Sequence, residues 1–187
     1  MGIAQGVAFL ALAGLSATAC ALALLRVGVI RLESPLGIHR DGLRVGSSAP
    51  RLRARAADGT SVAIPTGDRY QFLLFTDHSL SEYPEVGAAV AELAASGEAA
   101  VALVTQRDAS LTVAVLEALG LDLPVVQTTP EGYWDFNVRV MPFATVLSPE
   151  GTVLAVGVVS GPERVAAVWA RAGHSEHAGQ PASEAIA

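Results

Sequence analysis

The chain has one cysteine in 187 residues, no lysine, 5% aromatic residues and 16% charged residues. Each scarcity removes a class of function. A single thiol, Cys20, forbids an internal disulfide, a Cys-x-x-Cys redox pair and a cysteine-based zinc site. All twelve basic residues are arginine, they are not interleaved with aromatics, and the formal net charge is -6, so no nucleic-acid partner is expected. Charge falls below the roughly 25% of an average soluble domain. What fills the space is aliphatic, since 51% of residues are hydrophobic and few are aromatic. The length suits one domain with an appendage, not two domains.

Much of the apolar excess has one address. Gly2 to Leu25 carries no charged residue, and Val7 to Leu25 is interrupted only by Gly14, Ser16 and Thr18. That matches the ~20 apolar residues needed to cross a bilayer. A cleaved signal peptide calls for a charged start and a shorter apolar core. A lipoprotein anchored at Cys20 calls for a polar turn after the cysteine, where Ala21 to Leu25 stays apolar. The pattern therefore predicts an uncleaved single-span anchor over residues 1–26, with Cys20 a small apolar residue in lipid. Arg26, Arg31, Arg40 and Arg44 all follow the span, which by charge alone places the rest of the chain in the cytoplasm. Residues 27–45, with Gly, Pro and Ser among charges, read as a juxtamembrane linker.

The domain is expected over residues 46–173. Arg51–Ala57, Asp58-Gly59 and Thr60–Ile64 have the form of a hairpin whose Asp-Gly supplies a tight turn. Tyr70–Thr76 is a continuous apolar run, as for a central strand covered on both faces. Pro84–Ser96 places Val86, Ala89, Val90 and Leu93 at helical spacing, with Pro84 in the first turn. Ala99–Thr105 reads as a second buried strand. A helix capped by Ser110 is expected to bury Leu111, Val115 and Leu119 and to end at Gly120. Leu123–Gln127 gives a third strand, which completes a right-handed βαβαβ unit. Tyr133–Val138 reads as a short aromatic helical turn. Phe143–Leu147 and Thr152–Val159 flank Ser148–Gly151 as a second hairpin, and Gly161-Pro162-Glu163 opens a last helix with Val165, Val168 and Trp169 on one face. Residues 174–187 are small and polar, as in a disordered tail.

Phe75-Thr76-Asp77 at the end of the central strand, and Val140-Met141-Pro142-Phe143-Ala144-Thr145-Val146-Leu147 before the late hairpin, make the element order specific. It resembles the thioredoxin-like superfamily: an α/β fold with a central mixed sheet flanked by helices and an N-terminal hairpin extension. In such proteins a cis-proline stands where Pro142 stands. The anchor, Leu25-Arg26-Val27-Gly28-Val29, Ser34-Pro35-Leu36-Gly37, Val45-Gly46, Ala49-Pro50 and Asp58-Gly59-Thr60 resemble methylamine utilisation accessory proteins of the MauD type, over roughly residues 1–172. That resemblance implies a single-pass cell-membrane protein whose domain lies outside the cytoplasm and assists maturation of a partner enzyme, against the arginine count.

The sequence departs from that family where its chemistry lies. Family members carry Cys-x-x-Cys just after the strand end, because exchange needs an exposed thiolate at a helix N-terminus and a second thiol to resolve the mixed disulfide. Here the stretch reads Asp77-His78-Ser79-Leu80-Ser81-Glu82-Tyr83-Pro84, and Leu80 falls where the first cysteine belongs. Counted back from Pro84-Glu85-Val86, the loop is about four residues short, or one helical turn. Dithiol exchange by this chain alone is excluded. A Ser79-His78 hydrolase is disfavoured: adjacent residues leaving a strand point apart, and no Gly-x-Ser-x-Gly elbow surrounds Ser79. Asp77 or Ser81 as a helix cap, with His78 solvated, is the blander reading. His174 and His177 lack a third ligand, so no metal is expected, and no cofactor.

The resemblance thus implies a redox-inactive, membrane-anchored accessory protein. It would bind an extracytoplasmic protein or modified peptide through Asp77, His78, Ser79, Leu80, Ser81, Glu82, Tyr83, Met141 and Pro142, beside a redox-competent membrane partner. Two alternatives stay open: exchange with cysteines supplied by a partner chain, and a purely structural subunit of a membrane complex.

Overall fold

The computed structural model of the protein describes residues 41–77 and 79–178. The anchor expected over 1–26, the linker up to residue 40, His78 and residues 179–187 lie outside the described residues. Among the described residues no helix is long and apolar enough to cross a membrane.

Strands β1 (Leu52–Ala56) and β2 (Ser61–Ile64) form the first hairpin, with Leu52 opposite Ile64 and Arg55 opposite Ser61. Its turn is built as the sequence predicts: Gly59 has φ 85°, and the Thr60 amide donates to Asp58 Oδ1 at 2.8 Å. Leu52 and Ala54 point inward and Arg53 and Arg55 outward, the period of two of a strand with one wet face. Strand β3 (Gln71–Phe75) is buried at every position. It pairs in parallel with β4 (Ala100–Thr105), which pairs in parallel with β5 (Val125–Gln127). On its other side β3 pairs antiparallel with β6 (Phe143–Leu147), and β6 with β7 (Val153–Val158). The result is one mixed sheet of seven strands in the order β2-β1-β5-β4-β3-β6-β7.

Alternation along β3 divides the apolar residues between two faces. Phe72 and Leu74 join a first core with residues of α1 (Ser79–Glu82), α2 (Pro84–Ser96), α3 (Ala109–Ala118) and a later helix, Pro162–Ala178. Leu73 and Phe75 join a second core with Leu52 and Ile64 of the hairpin and with Tyr133 of α4 (Pro130–Asp135). Each such large side chain contributes about 1.5–3 kcal/mol on burial.

Helix α2 matches its predicted span and ends on Gly97, whose φ of 74° lets its amide bond to Ala94 O. Helix α3 differs from expectation in two ways. Its cap is Asp108, which accepts from the Ser110 amide at 3.0 Å, and its buried residues are Ala109, Thr112 and Leu116. Leu111, expected in the core, is 53% exposed. The final helix α5 (Pro162–Ala178) buries Val165 and Val168 and runs past Gly173 into the stretch read as tail. At the other end, the compact unit begins at Asp41. Gly42 donates to Asn137 O at 2.9 Å, Asn137 Nδ2 donates back to Gly42 O at 3.0 Å, and Leu43 packs on the second core.

Candidate functional site

Strand register decides which loops meet. Phe75 is opposite Val104 on one side and Phe143 on the other. Thr76-Asp77 leave β3, Gln106-Arg107 leave β4 and Met141-Pro142 enter β6 at the same end of the sheet. The Thr76 amide donates to Val104 O at 2.9 Å, which closes the gap between the first two segments. The Met141-Pro142 bond is cis, as the resemblance implied, and Pro142 O accepts from the Val159 amide at 3.0 Å.

Beneath these segments lies Tyr133. Its hydroxyl is 2.6 Å from Val104 O and 2.9 Å from Thr76 O, so one phenolic proton faces the last carbonyl of the β3 segment and one near the end of β4. The ring stands edge-on to Phe75 at 5.1 Å, and Phe75 in turn leans on Phe136 at 5.2 Å. Burial, and secondarily the Asp77 carboxylate, push the Tyr133 phenol far above its ordinary value, which keeps it a neutral donor. Gly132 makes room for this: a Cβ there would meet Thr128 Oγ1 at 2.4 Å and Leu52 Cδ1 at 2.6 Å. The sequence marked the Tyr133, Trp134 and Phe136 cluster, but not that Tyr133 ties two strand ends together across long chain separations.

Asp77 is held by charge. Arg107 Nε lies 2.6 Å from Asp77 Oδ1, outside hydrogen-bond angles, and the Arg107 amide donates to Thr105 Oγ1 at 3.1 Å. Arg107 was not anticipated; a lone arginine after a buried strand gives no local signal of its partner. The N-cap position of helix α2 is Tyr83, not Asp77 or Ser81, and the Tyr83 side chain makes no cap bond. Pro84 has no amide to be capped, and the next step is a Val86 amide bond to Tyr83 O at 3.1 Å.

Of the residues predicted to line a binding surface, Ser81 and Glu82 are exposed, and Tyr83 and Met141 are half-buried. Pro142 is buried. Leu80 is 1% exposed, sits in the first core with its Cδ2 facing Gly87, and offers nothing to a surface partner. His78 lies outside the described residues. Trp134 is 71% exposed one residue after the buried Tyr133, as the angular step of a helix requires. Among the described residues no three His, Cys, Asp or Glu side chains cluster as metal ligands.

A mixed sheet with a parallel βαβαβ unit, an antiparallel return, and a cis-proline beside the end of the central strand defines a thioredoxin-like α/β fold. Solved structures agree. A putative protein disulfide isomerase from Bacteroides thetaiotaomicron superposes with TM-score 0.57 at 13% identity, covering 72% of this chain and 96% of that one. The thioredoxin domain of a thiol-disulfide oxidoreductase from Bacteroides vulgatus gives TM-score 0.57 at 15% identity, with coverage of 68% and 97%. A thioredoxin-family thiol:disulfide interchange protein from Chlorobium tepidum gives 0.53 at 19%, with coverage of 70% and 99%. No family model matches the chain, and no curated protein matches it in sequence.

Proposed function

We propose that this chain is a membrane-anchored, extracytoplasmic thioredoxin-fold accessory protein that binds a polypeptide client and assists its maturation without dithiol exchange. The observation that carries the reading is the loop after β3. Where solved relatives by fold are disulfide isomerases and oxidoreductases, this chain has a single cysteine far away in sequence, and a fully buried leucine near the expected position of the first thiol. The surrounding frame is cis-Pro142, the Tyr133 floor and the meeting of three segments. An extended polypeptide beside such a frame gains backbone hydrogen bonds as an added strand, with side chains at Ser81, Glu82, Tyr83 and Met141 reading it. The MauD-type resemblance supplies the maturation role and the outward orientation.

A pull-down with the full chain tests this. A specific polypeptide is expected with the native protein and lost when Asp77–Tyr83 is scrambled in a variant that keeps its circular dichroism. A client retained by the scrambled protein, or reduction of a disulfide substrate above the level of denatured chain, overturns the reading.

A further inference from the structure

A cavity of about 500 Å³ lies at the other end of the sheet, walled largely by Ile64, Leu73, Ala102 and Val126. That volume falls in the range of small-molecule sites. Gln71 begins β3 and Asp77 follows its end, so Gln71 lies about 20 Å from Asp77 along the strand.

One polar side chain in the wall is incompletely paired. Gln71 is 3% exposed, and its Oε1 is buried without a hydrogen-bond partner. Its orientation is fixed by chemistry. Asp68 is held below the usual carboxylate range chiefly by its bond from Thr66, so it is ionised and only accepts. The Thr66 hydroxyl therefore donates to Asp68 and accepts from Gln71, and only the amide nitrogen of Gln71 can supply that proton. The carbonyl oxygen is thereby left over. The rest of the lining is mainly apolar, and Thr66 is already engaged by Asp68 and Gln71. Two exposed carboxylates, Asp58 and Asp122, stand in the lining and oppose an anionic guest.

We infer that this cavity is a binding site for a small uncharged amphiphile, with an apolar body in the space between the hairpin and β3–β5 and one O–H or N–H donor directed at Gln71 Oε1. The client groove plays no part in it.

Titration of the full chain with cyclohexanol, methylcyclohexane and cyclohexanecarboxylate, followed by methyl NMR of Ile64, Leu73 and Val126, tests the site. Saturable shifts are expected with cyclohexanol, affinity about five- to tenfold weaker for methylcyclohexane, and weaker still for the carboxylate. Gln71→Leu is expected to abolish the advantage of the alcohol over the hydrocarbon. Ala102→Ile, which fills the space, is expected to weaken all three probes, and it decides the question if Gln71→Leu does not fold. No saturable shift, equal affinity for alcohol and hydrocarbon, preference for the carboxylate, or an alcohol advantage that survives Gln71→Leu overturns the proposal, as does binding unaffected by Ala102→Ile.

Discussion

The two ends of β3 are built on different terms. At the Asp77 end, polar groups answer one another: the Tyr133 hydroxyl meets two strand carbonyls, the Thr76 amide meets Val104 O, and Arg107 faces Asp77. At the Gln71 end, a buried amide oxygen has no partner and a cavity opens beside it. A buried polar group left unmade costs about 1–3 kcal/mol. Asp77 Oδ1 is also buried without a hydrogen bond, but the Arg107 guanidinium stands 2.6 Å from it, whereas Gln71 Oε1 faces no charge of opposite sign. The unfilled space lies at the Gln71 end.

The largest effect expected from breaking this contrast comes from Gly132→Ala. The added Cβ comes closer to Thr128 Oγ1 and Leu52 Cδ1 than side chains tolerate, so those side chains, or α4 with Tyr133 on it, must move. A loss of about 2 kcal/mol in urea unfolding is expected, and an unchanged midpoint contradicts the role given to Gly132. Next, Tyr133→Phe is expected to cost about 1–2 kcal/mol by removing one donor from a buried pair of carbonyls. The pH dependence has a definite sign. The folded phenol titrates above the unfolded value of about 10, so its contribution is complete below that pH and is lost as pH rises toward the folded value. Native protein should therefore lose stability above about pH 10 through this residue, and the Phe variant should lack that component of the alkaline loss.

Smaller effects sharpen the comparison. A double-mutant cycle on Asp77 and Arg107 is expected to give a coupling of about 0.5 kcal/mol that fades with salt, because the pair is partly exposed. Gln71→Leu is expected to leave stability within about 0.5 kcal/mol of native or to raise it, since it removes an unpaired buried oxygen. A large loss there in chemical denaturation contradicts the claim that Gln71 Oε1 goes unanswered in the free protein.

Local patterns made most of the fold legible. Asp58-Gly59 marked a turn, the apolar run through Phe72–Phe75 marked a central strand, and Pro84 marked the first turn of α2 because backbone geometry favours those residue types there. Helix α3 shows where pattern fails. Leu111, Val115 and Leu119 recur at helical spacing, yet the face turned to the sheet is Ala109, Thr112 and Leu116, where smaller side chains allow close approach. A threonine on the buried face and a leucine on the exposed one invert the usual hydropathy reading. Of the candidate site, cis-Pro142 and the meeting of its loop with Asp77 followed from the resemblance and hold in the structure. Tyr133 to Thr76 and Arg107 to Asp77 are contacts between distant residues, so no local pattern carries them. The Gln71 cavity depends on how the hairpin folds over β3–β5, which no single segment encodes.

The proposed role requires that the loop after β3 hold a polypeptide and exchange no disulfide with it. A photo-crosslinking residue placed at Ser81 in the full chain, in the cells that make it, tests that claim directly, with the same residue at exposed Leu111 as the control. A discrete polypeptide adduct from position 81 is expected, stable to reducing agent, absent from position 111 and lost when the rest of Asp77–Tyr83 is scrambled. Equal adducts from both positions, or none from position 81, contradict it.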